Sequence, residues 1–357
     1  MIVFKKDCNF PYLYRINDLL KIKIKKNAIL IFEPFEYHYE CTPGFLKYFL
    51  DIGYNVDLII NNIGITSLSI FETNENIRIF TYHKIDEIKY YSEYFSKVFN
   101  FYNHILIETT EPKRLKIFKA LNLINRSNSI FVFHHLDYAY LKPFISLKNN
   151  QIWSLGNFSL GLQVNPHFFG NLKLKNKNRI TKFFITSTIN RNYKLLLSAV
   201  EKIKNENLKF HINVVGKWMT FTENSISENL KDLFSFNFNI SYSQLYKEVY
   251  ESDYIIINLD PNNKKNEEFK ANRTTGSVQL AYGFSKPVLI NKDFASIYNF
   301  NNNNSFIYEN TNFTQTMKDA IIKNKKYYKE MQKNMRILSR EIYMKSLINV
   351  KKSLKES

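Results

Sequence analysis

Only two cysteines, Cys8 and Cys41, occur in 357 residues, with no paired spacing. That excludes a disulfide framework and a cysteine-based metal site, and a reducing compartment follows as the default. Long apolar runs are missing too: none approaches the roughly 20 residues needed to cross a bilayer, and Met1-Ile2-Val3-Phe4-Lys5-Lys6-Asp7 breaks too early for a signal peptide. The expectation is a cytoplasmic protein, soluble or peripheral at the inner face of the plasma membrane. No Gly-x-Gly-x-x-Gly follows the first apolar strand, which disfavours a nicotinamide enzyme. No helix-turn-helix, zinc or RNA-binding signature supports nucleic-acid recognition, and no residue-level repeat appears.

Acidic residues are scarce: 32 Asp+Glu against 50 Lys+Arg leave a net charge of +18. That balance favours anionic partners such as nucleotide diphosphates, anionic lipid surfaces or nucleic acid, although the lysines are scattered over nearly every segment. Apolar material is plentiful, with 31 Phe and 24 Tyr, enough for packed cores and no case for disorder. At this length the chain exceeds one ordinary core and fits two domains.

The chain alternates between continuous apolar runs and amphipathic stretches. Ala28–Phe32, Val56–Ile60, Ile77–Phe80, His104–Ile107 and Ile130–Phe133 read as buried parallel strands. Between them lie predicted helices opening at Thr42-Pro43-Gly44 and ending at Gly53, then over Asp86–Phe99 and Lys113–Ile124. Lys21–Lys26 alternates like an edge strand guarded by lysines. A shorter Gly- and Pro-bearing region, Gln151–Gly170, follows, and the polar run Asn171–Arg179 beyond it marks the linker. A second series follows: strands at Lys182–Ile185, Phe210–Val215, Asn237–Ser241 and Tyr254–Leu259, with helices at Tyr193–Lys204 and Gln244–Tyr250, the latter capped by Ser243. The expected architecture is α/β, two Rossmann-like doubly wound domains with a cleft between them: residues 1–170, residues 171–335, and a terminal helix over 336–357.

The most informative stretch runs from Asn272 to Ile290. Thr274, Thr275, Gly276 and Ser277 open a helix, so they can present N–H and O–H donors to a phosphate, with Arg273 and Lys270 just outside. Pro287 then blocks the helix and Val288-Leu289-Ile290 enters as a strand. Thr274-Thr275-Gly276-Ser277, Leu280-Ala281 and Ser285-Lys286-Pro287-Val288 resemble the "TSGS…LA…GKPVI" donor-binding segment of GT-B glycosyltransferases. The resemblance covers Thr181–Asn291 best and the first half only in layout. It implies a GT-B fold with a C-terminal helix crossing back to the first domain, and transfer of a sugar from a nucleotide-diphosphate donor to a glycan or lipid-linked acceptor. Cell-surface polysaccharide synthesis, of capsule or lipopolysaccharide, would fit the basic surface, and an anionic membrane surface is a candidate partner.

Site residues follow from the same resemblance. The loop Thr186–Lys194 looks like the one whose Arg and Lys neutralise the donor diphosphate, here Arg191 and Lys194, joined by Arg273 and the helix start Thr274–Ser277. His134-His135 follows a strand, where GT-B enzymes place a histidine at the reacting centre; which of the two faces the cleft is open, since neighbours in an extended chain point oppositely. His38, with Glu36 and Glu40, lies in the loop after the first strand, where an inverting enzyme carries its base. His135, His38 and Glu40 are therefore the catalytic candidates. The Glu that many retaining members carry seven residues before the proline is Leu280 here, with Glu267 and Glu268 as possible substitutes, so retention and inversion stay open. No Asp-x-Asp occurs, so no metal site and no cofactor are expected. The competing readings are a GT-B-like protein that binds nucleotide sugar without turnover and a basic nucleic-acid-binding protein.

Overall fold

The computed structural model describes residues 10–356 except 157, 159, 189 and 217–219. Met1–Asp7, Cys8 and Ile189 of the 186–194 loop lie outside the described residues. The chain builds two sheets. The first has β1 (Leu13–Arg15), β2 (Ala28–Phe32), β3 (Asn55–Asn61), β4 (Ile77–Tyr82), β5 (His104–Ile107), β6 (Ser129–Phe133), β7 (Ile152–Ser154) and β8 (Leu162–Gln163), in the order β1-β4-β3-β2-β5-β6-β7-β8. The second has β9 (Thr181–Thr186), β10 (Phe210–Gly216), β11 (Phe234–Phe238), β12 (Tyr254–Ile257), β13 (Val288–Asn291) and β14 (Ser305–Tyr308), in the order β11-β10-β9-β12-β13-β14. Every strand pair is parallel.

Parallel strands need crossovers, and these put helices on both faces of each sheet. The strands are therefore apolar on both sides. In β2, Leu30 and Phe32 enter one core while Ile29 and Ile31 enter the core on the opposite face. In each sheet the chain winds outward in one direction and then in the other, so a switch point opens between β2 and β5 in the first and between β9 and β12 in the second. Ligands of open α/β sheets bind outside the carboxyl ends of strands at such points.

The last helix, Lys325–Glu356, has 32 residues, so it spans about 48 Å. It starts on the second lobe, where the Tyr328 hydroxyl donates to the Asp253 carbonyl at 3.0 Å. It ends on the first, where Ser346 Oγ accepts from the Asn165 amide at 3.0 Å and Ser353 Oγ accepts from Trp153 Nε1 at 3.0 Å.

Several expected elements are corrected. The edge strand is β1, paired with β4, whereas Lys21–Lys26 is irregular. Asp86–Phe99 is two helices, Ile85–Tyr90 and Ser92–Phe99, broken at Tyr91. The expected Lys113–Ile124 helix shrinks to Leu115–Ala120 after a 3-10 turn. The strand placed at Asn237–Ser241 lies earlier, at Phe234–Phe238, and the helix expected to be capped by Ser243 is Tyr242–Glu251, capped by Ser241, whose hydroxyl accepts from the Gln244 amide. Gln151–Gly170 contributes two strands, β7 and β8, to the first sheet.

Candidate active site

At the second lobe's switch point the helix Gly276–Phe284 begins beside the loop that follows β9. Thr275 takes extended backbone angles ahead of the first turn, but its hydroxyl does not cap the helix. That hydroxyl instead accepts from Arg191 Nη2 at 3.1 Å. The opening amides of the helix are therefore left uncapped by this side chain, at a residue, Gly276, that is exposed. Ser277 Oγ lies 3.0 Å from Thr186 Oγ1 and ties the helix to the end of β9. The Thr274 side chain sits against the Tyr298 hydroxyl.

Arg191 is the unusual group. Burial first, then the positive charge of Arg273, lowers its guanidinium to about 10, which leaves it charged at neutral pH. Its neighbours are the Thr275 hydroxyl and the Phe269 ring, 5.8 Å from ring centre to guanidinium carbon. Among the described residues no carboxylate pairs with it. Arg273 lies over the same ring at 5.1 Å, but it is exposed and paired with Glu268 at 2.5 Å.

The first lobe's edge presents imidazoles and carboxyls. His38 sits at φ 69, a left-handed conformation that a histidine adopts at a cost and that the loop must enforce. Its Nδ1 lies 3.4 Å from Glu40 Oε1, and its ring lies against that of His134, tilted by 33° with centroids 4.1 Å apart. Burial would raise the Glu40 carboxyl, but the His38 imidazole, its own backbone and the Tyr242 hydroxyl outweigh this and hold it below the usual carboxylate range. His134 Nε2 lies 3.2 Å from the Glu108 carbonyl, which can only accept, so the proton sits on Nε2. Burial, then the charge of His38, keeps His134 well below its ordinary range and hence neutral.

The two edges meet. A Cβ on Gly276 would lie 3.5 Å from Glu40 Oε1, and the Tyr242 hydroxyl of the second lobe donates to Glu40 Oε2 at 3.4 Å. His135 pairs antiparallel with Arg273, and the Leu136 amide donates to the Asn272 carbonyl at 2.9 Å. His135 Nε2 also approaches Asp137 at 3.5 Å and Glu268 at 3.4 Å.

The structure thus brings His38, Glu40, Gly276, Thr275 and Arg191 to one place. His134 turns inward to the sheet edge, while His135 reaches across to Glu268. Glu267 pairs with Lys270 at 2.8 Å, and Glu268 is engaged by both His135 and Arg273. Lys194 does not join the group: it is exposed and lines a different hollow, of about 620 Å³, with Leu197, Glu201, Phe221 and Leu230. Asn192 caps the helix Tyr193–Lys204, so Arg191 lies before the cap and Lys194 within the first turn. Sequence reasoning missed Glu33 and Glu108, both fully buried at the first lobe's switch point. The signal was present: each is a carboxylate set directly after an apolar run, residues 28–32 and 105–107.

No family profile matches the chain, and no curated protein matches it. Solved structures do. A glycosyltransferase from Rickettsia africae aligns over 94% of this chain and 100% of its own, at 16% identity and a TM-score of 0.58. An O-GlcNAc transferase from Thermobaculum terrenum aligns over 93% of this chain and 66% of its own, at 7% identity and a TM-score of 0.50. The chain therefore has the GT-B fold, two parallel-sheet lobes facing each other across a cleft.

Proposed function

We propose that this chain is a metal-independent glycosyltransferase that moves a sugar from a nucleoside-diphosphate donor to a hydroxyl on a glycan or lipid-linked acceptor. Arg191 carries the reading. A guanidinium partly withdrawn from water without a counter-ion is costly, and it stands at the start of a helix, whose partial positive charge makes a cation less welcome still. A diphosphate in front of Thr275 and Gly276 would resolve both penalties. As the bond from the anomeric carbon to the phosphate oxygen breaks, its electron pair passes to the diphosphate, and Arg191, Arg273 and the opening amides of the helix stabilise the charge that develops.

On the opposite wall His38 supplies the base. Glu40 holds its Nδ1, so Nε2 takes the proton of the acceptor hydroxyl while that oxygen bonds to the anomeric carbon. A base on one lobe facing a leaving group on the other suits a single displacement with inversion.

The outer face of the first lobe extends the reading to the acceptor. Tyr90, Tyr94, Phe101 and Tyr138 are exposed there, on or beside the helices that cover one face of the sheet, together with exposed Lys89, Lys97 and Lys142. Aromatic rings among lysines suit an anionic membrane surface, and hence a lipid-linked acceptor in cell-surface polysaccharide synthesis.

The test is calorimetry with UDP and GDP on the wild type and Arg191→Ala, followed by hydrolysis assays with UDP- and GDP-sugars. Binding lost in the variant, with slow donor hydrolysis by the wild type, is the expected result. Binding without hydrolysis or transfer would instead leave a silent nucleotide-sugar binder, and no binding of any nucleotide by the wild type overturns the proposal.

A further inference from the structure

Beneath the His38 loop lie two glutamates that the proposed reaction does not use. Glu33 directly follows β2 and Glu108 directly follows β5, on the two strands that flank the first lobe's switch point, and both are fully buried. Glu33 Oε1 accepts from the Phe35 amide at 2.7 Å, and Oε2 from the Thr109 hydroxyl at 2.5 Å. Glu108 Oε1 accepts from the Thr42 hydroxyl at 2.6 Å, and Oε2 has no hydrogen-bond partner. Phe35 and Thr42 are the two ends of the loop that carries His38 and Glu40. The Glu108 carbonyl and the Thr109 hydroxyl also contact His134 Nε2, at 3.2 and 3.5 Å, and so set the ring against which His38 lies.

Among the described residues neither carboxyl is ion-paired. Tyr37, Tyr39, Tyr82, Tyr246, Cys41, Glu36, Glu40 and His134 are titratable groups that face this region, with Lys113 and Arg114 over the Phe35 ring. Burial pushes both carboxyls well above the usual carboxylate range; the charge of Glu108 adds to this at Glu33, and that of Glu40 at Glu108.

We infer that Glu33 and Glu108 are positioning residues: a buried carboxyl pair that clamps both ends of the Phe35–Thr42 loop and so fixes the His38–Glu40 pair against the donor helix. The catalytic part of this inference rests on the proposed transferase reading; the clamp itself does not. A buried carboxyl that keeps its proton stabilises the folded loop fully at pH below the ordinary carboxylate range, and progressively less above it. That support is lost as pH rises through its titration, because a second negative charge would then have to share the site with its neighbour and with Glu40.

The experiment uses the full chain labelled with carboxyl-13C glutamate, with Glu33→Gln and Glu108→Gln assigning the two resonances. At neutral pH at least one of them keeps the shift of a protonated acid. Raising the pH through its titration speeds hydrogen exchange of the 35–42 amides severalfold beyond the intrinsic rate, whereas Glu108→Gln, whose amide oxygen still serves Thr42 without ionising, keeps the loop protected. Two ionised carboxylates at neutral pH, or loop exchange in Glu108→Gln that follows the wild type, overturn the clamp. Neither readout depends on turnover. For the catalytic role, Glu108→Ala lowers the rate of UDP-sugar hydrolysis at least tenfold with UDP affinity unchanged, and Glu108→Gln restores most of it. A parallel fall in rate and affinity, or no rescue by Gln, would reduce the pair to a support of the fold.

Discussion

The two switch points are built on the same βα frame and carry opposite chemistry. Between β2 and β5 the strand ends present Glu33 and Glu108, with His134, His38 and Glu40 above them. Between β9 and β12 they present Arg191, whose backbone pairs with Leu259 after β12, and beside it the Thr275 hydroxyl and an uncapped helix start. In the first lobe burial raises the Glu33 and Glu108 carboxyls, while His38 holds Glu40 low; in the second it leaves a cation that keeps its charge and, among the described residues, lacks a counter-ion. One wall suits a neutral hydroxyl and its proton, the other an anion, and a reaction joining a hydroxyl to a departing diphosphate needs one of each.

The largest expected effect comes from removing the base. His38→Ala should lower turnover by about 10²–10⁴-fold with donor affinity unchanged, measured as initial rates beside UDP calorimetry. Equal losses in both would mean that the first lobe also holds the donor, and the division of labour would fail. Arg191→Ala tests the other wall. A charge-assisted hydrogen bond contributes about 1.5–3 kcal/mol, so donor affinity should fall by roughly 10- to 100-fold. The unliganded variant should also be as stable as the wild type or more so, because an unpaired cation has been removed; a lower melting temperature without ligand would mean that Arg191 serves the fold. Arg273→Ala should do less, on the order of 1 kcal/mol or below and weaker at high salt, since its side chain is 44% exposed and already paired with Glu268.

How much of this was legible in the sequence differs between the lobes for a physical reason. Strands covered on both faces are apolar almost throughout, so Ala28–Phe32 and, after its first residue, His104–Ile107 stand out however they are windowed. Strands β7 and β8, of three and two residues, cannot show a period at all. At Phe234–Phe238 phenylalanines alternate with Ser235 and Asn237, the pattern of a half-buried edge strand, yet Asn239-Ile240-Ser241 beyond it reads almost as well. In the second lobe, loop and helix start are contiguous runs of small hydroxyl residues, so the place of Arg191 and Thr275 beside a sheet edge could be inferred locally. The first lobe's carboxyls could not. Glu33 and Glu108 are 75 residues apart, and only the β2–β5 pairing makes them neighbours. Lys194 misleads in the opposite way: three residues from Arg191 in sequence, it is separated from it by the Asn192 cap.

The last comparison lies within the second lobe, between the two ends of one helix. Lys286, just past the end of Gly276–Phe284, is fully buried where Arg191 is only partly so, and its Nζ donates to the Tyr250 carbonyl at 2.7 Å and to the Ser252 carbonyl. Its position at a helix C-terminus is favourable for a cation, whereas that of Arg191 at the N-terminus is not. Burial first, then the charge of Lys175, lowers Lys286 to about 7. Unfolding restores an ordinary lysine, so between pH 7 and the usual lysine range the unfolded chain binds more protons, and stability rises with pH by at most about 1.4 kcal/mol per unit from this group. Lys286→Met should flatten that rise in thermal melts, with under ~1 kcal/mol change at neutral pH, where lost carbonyl bonds offset relieved burial. It should leave UDP affinity untouched. A fall in affinity would mean that the far end of the helix feels the ligand, and that burial without a carboxylate does not by itself distinguish a binding cation from a structural one.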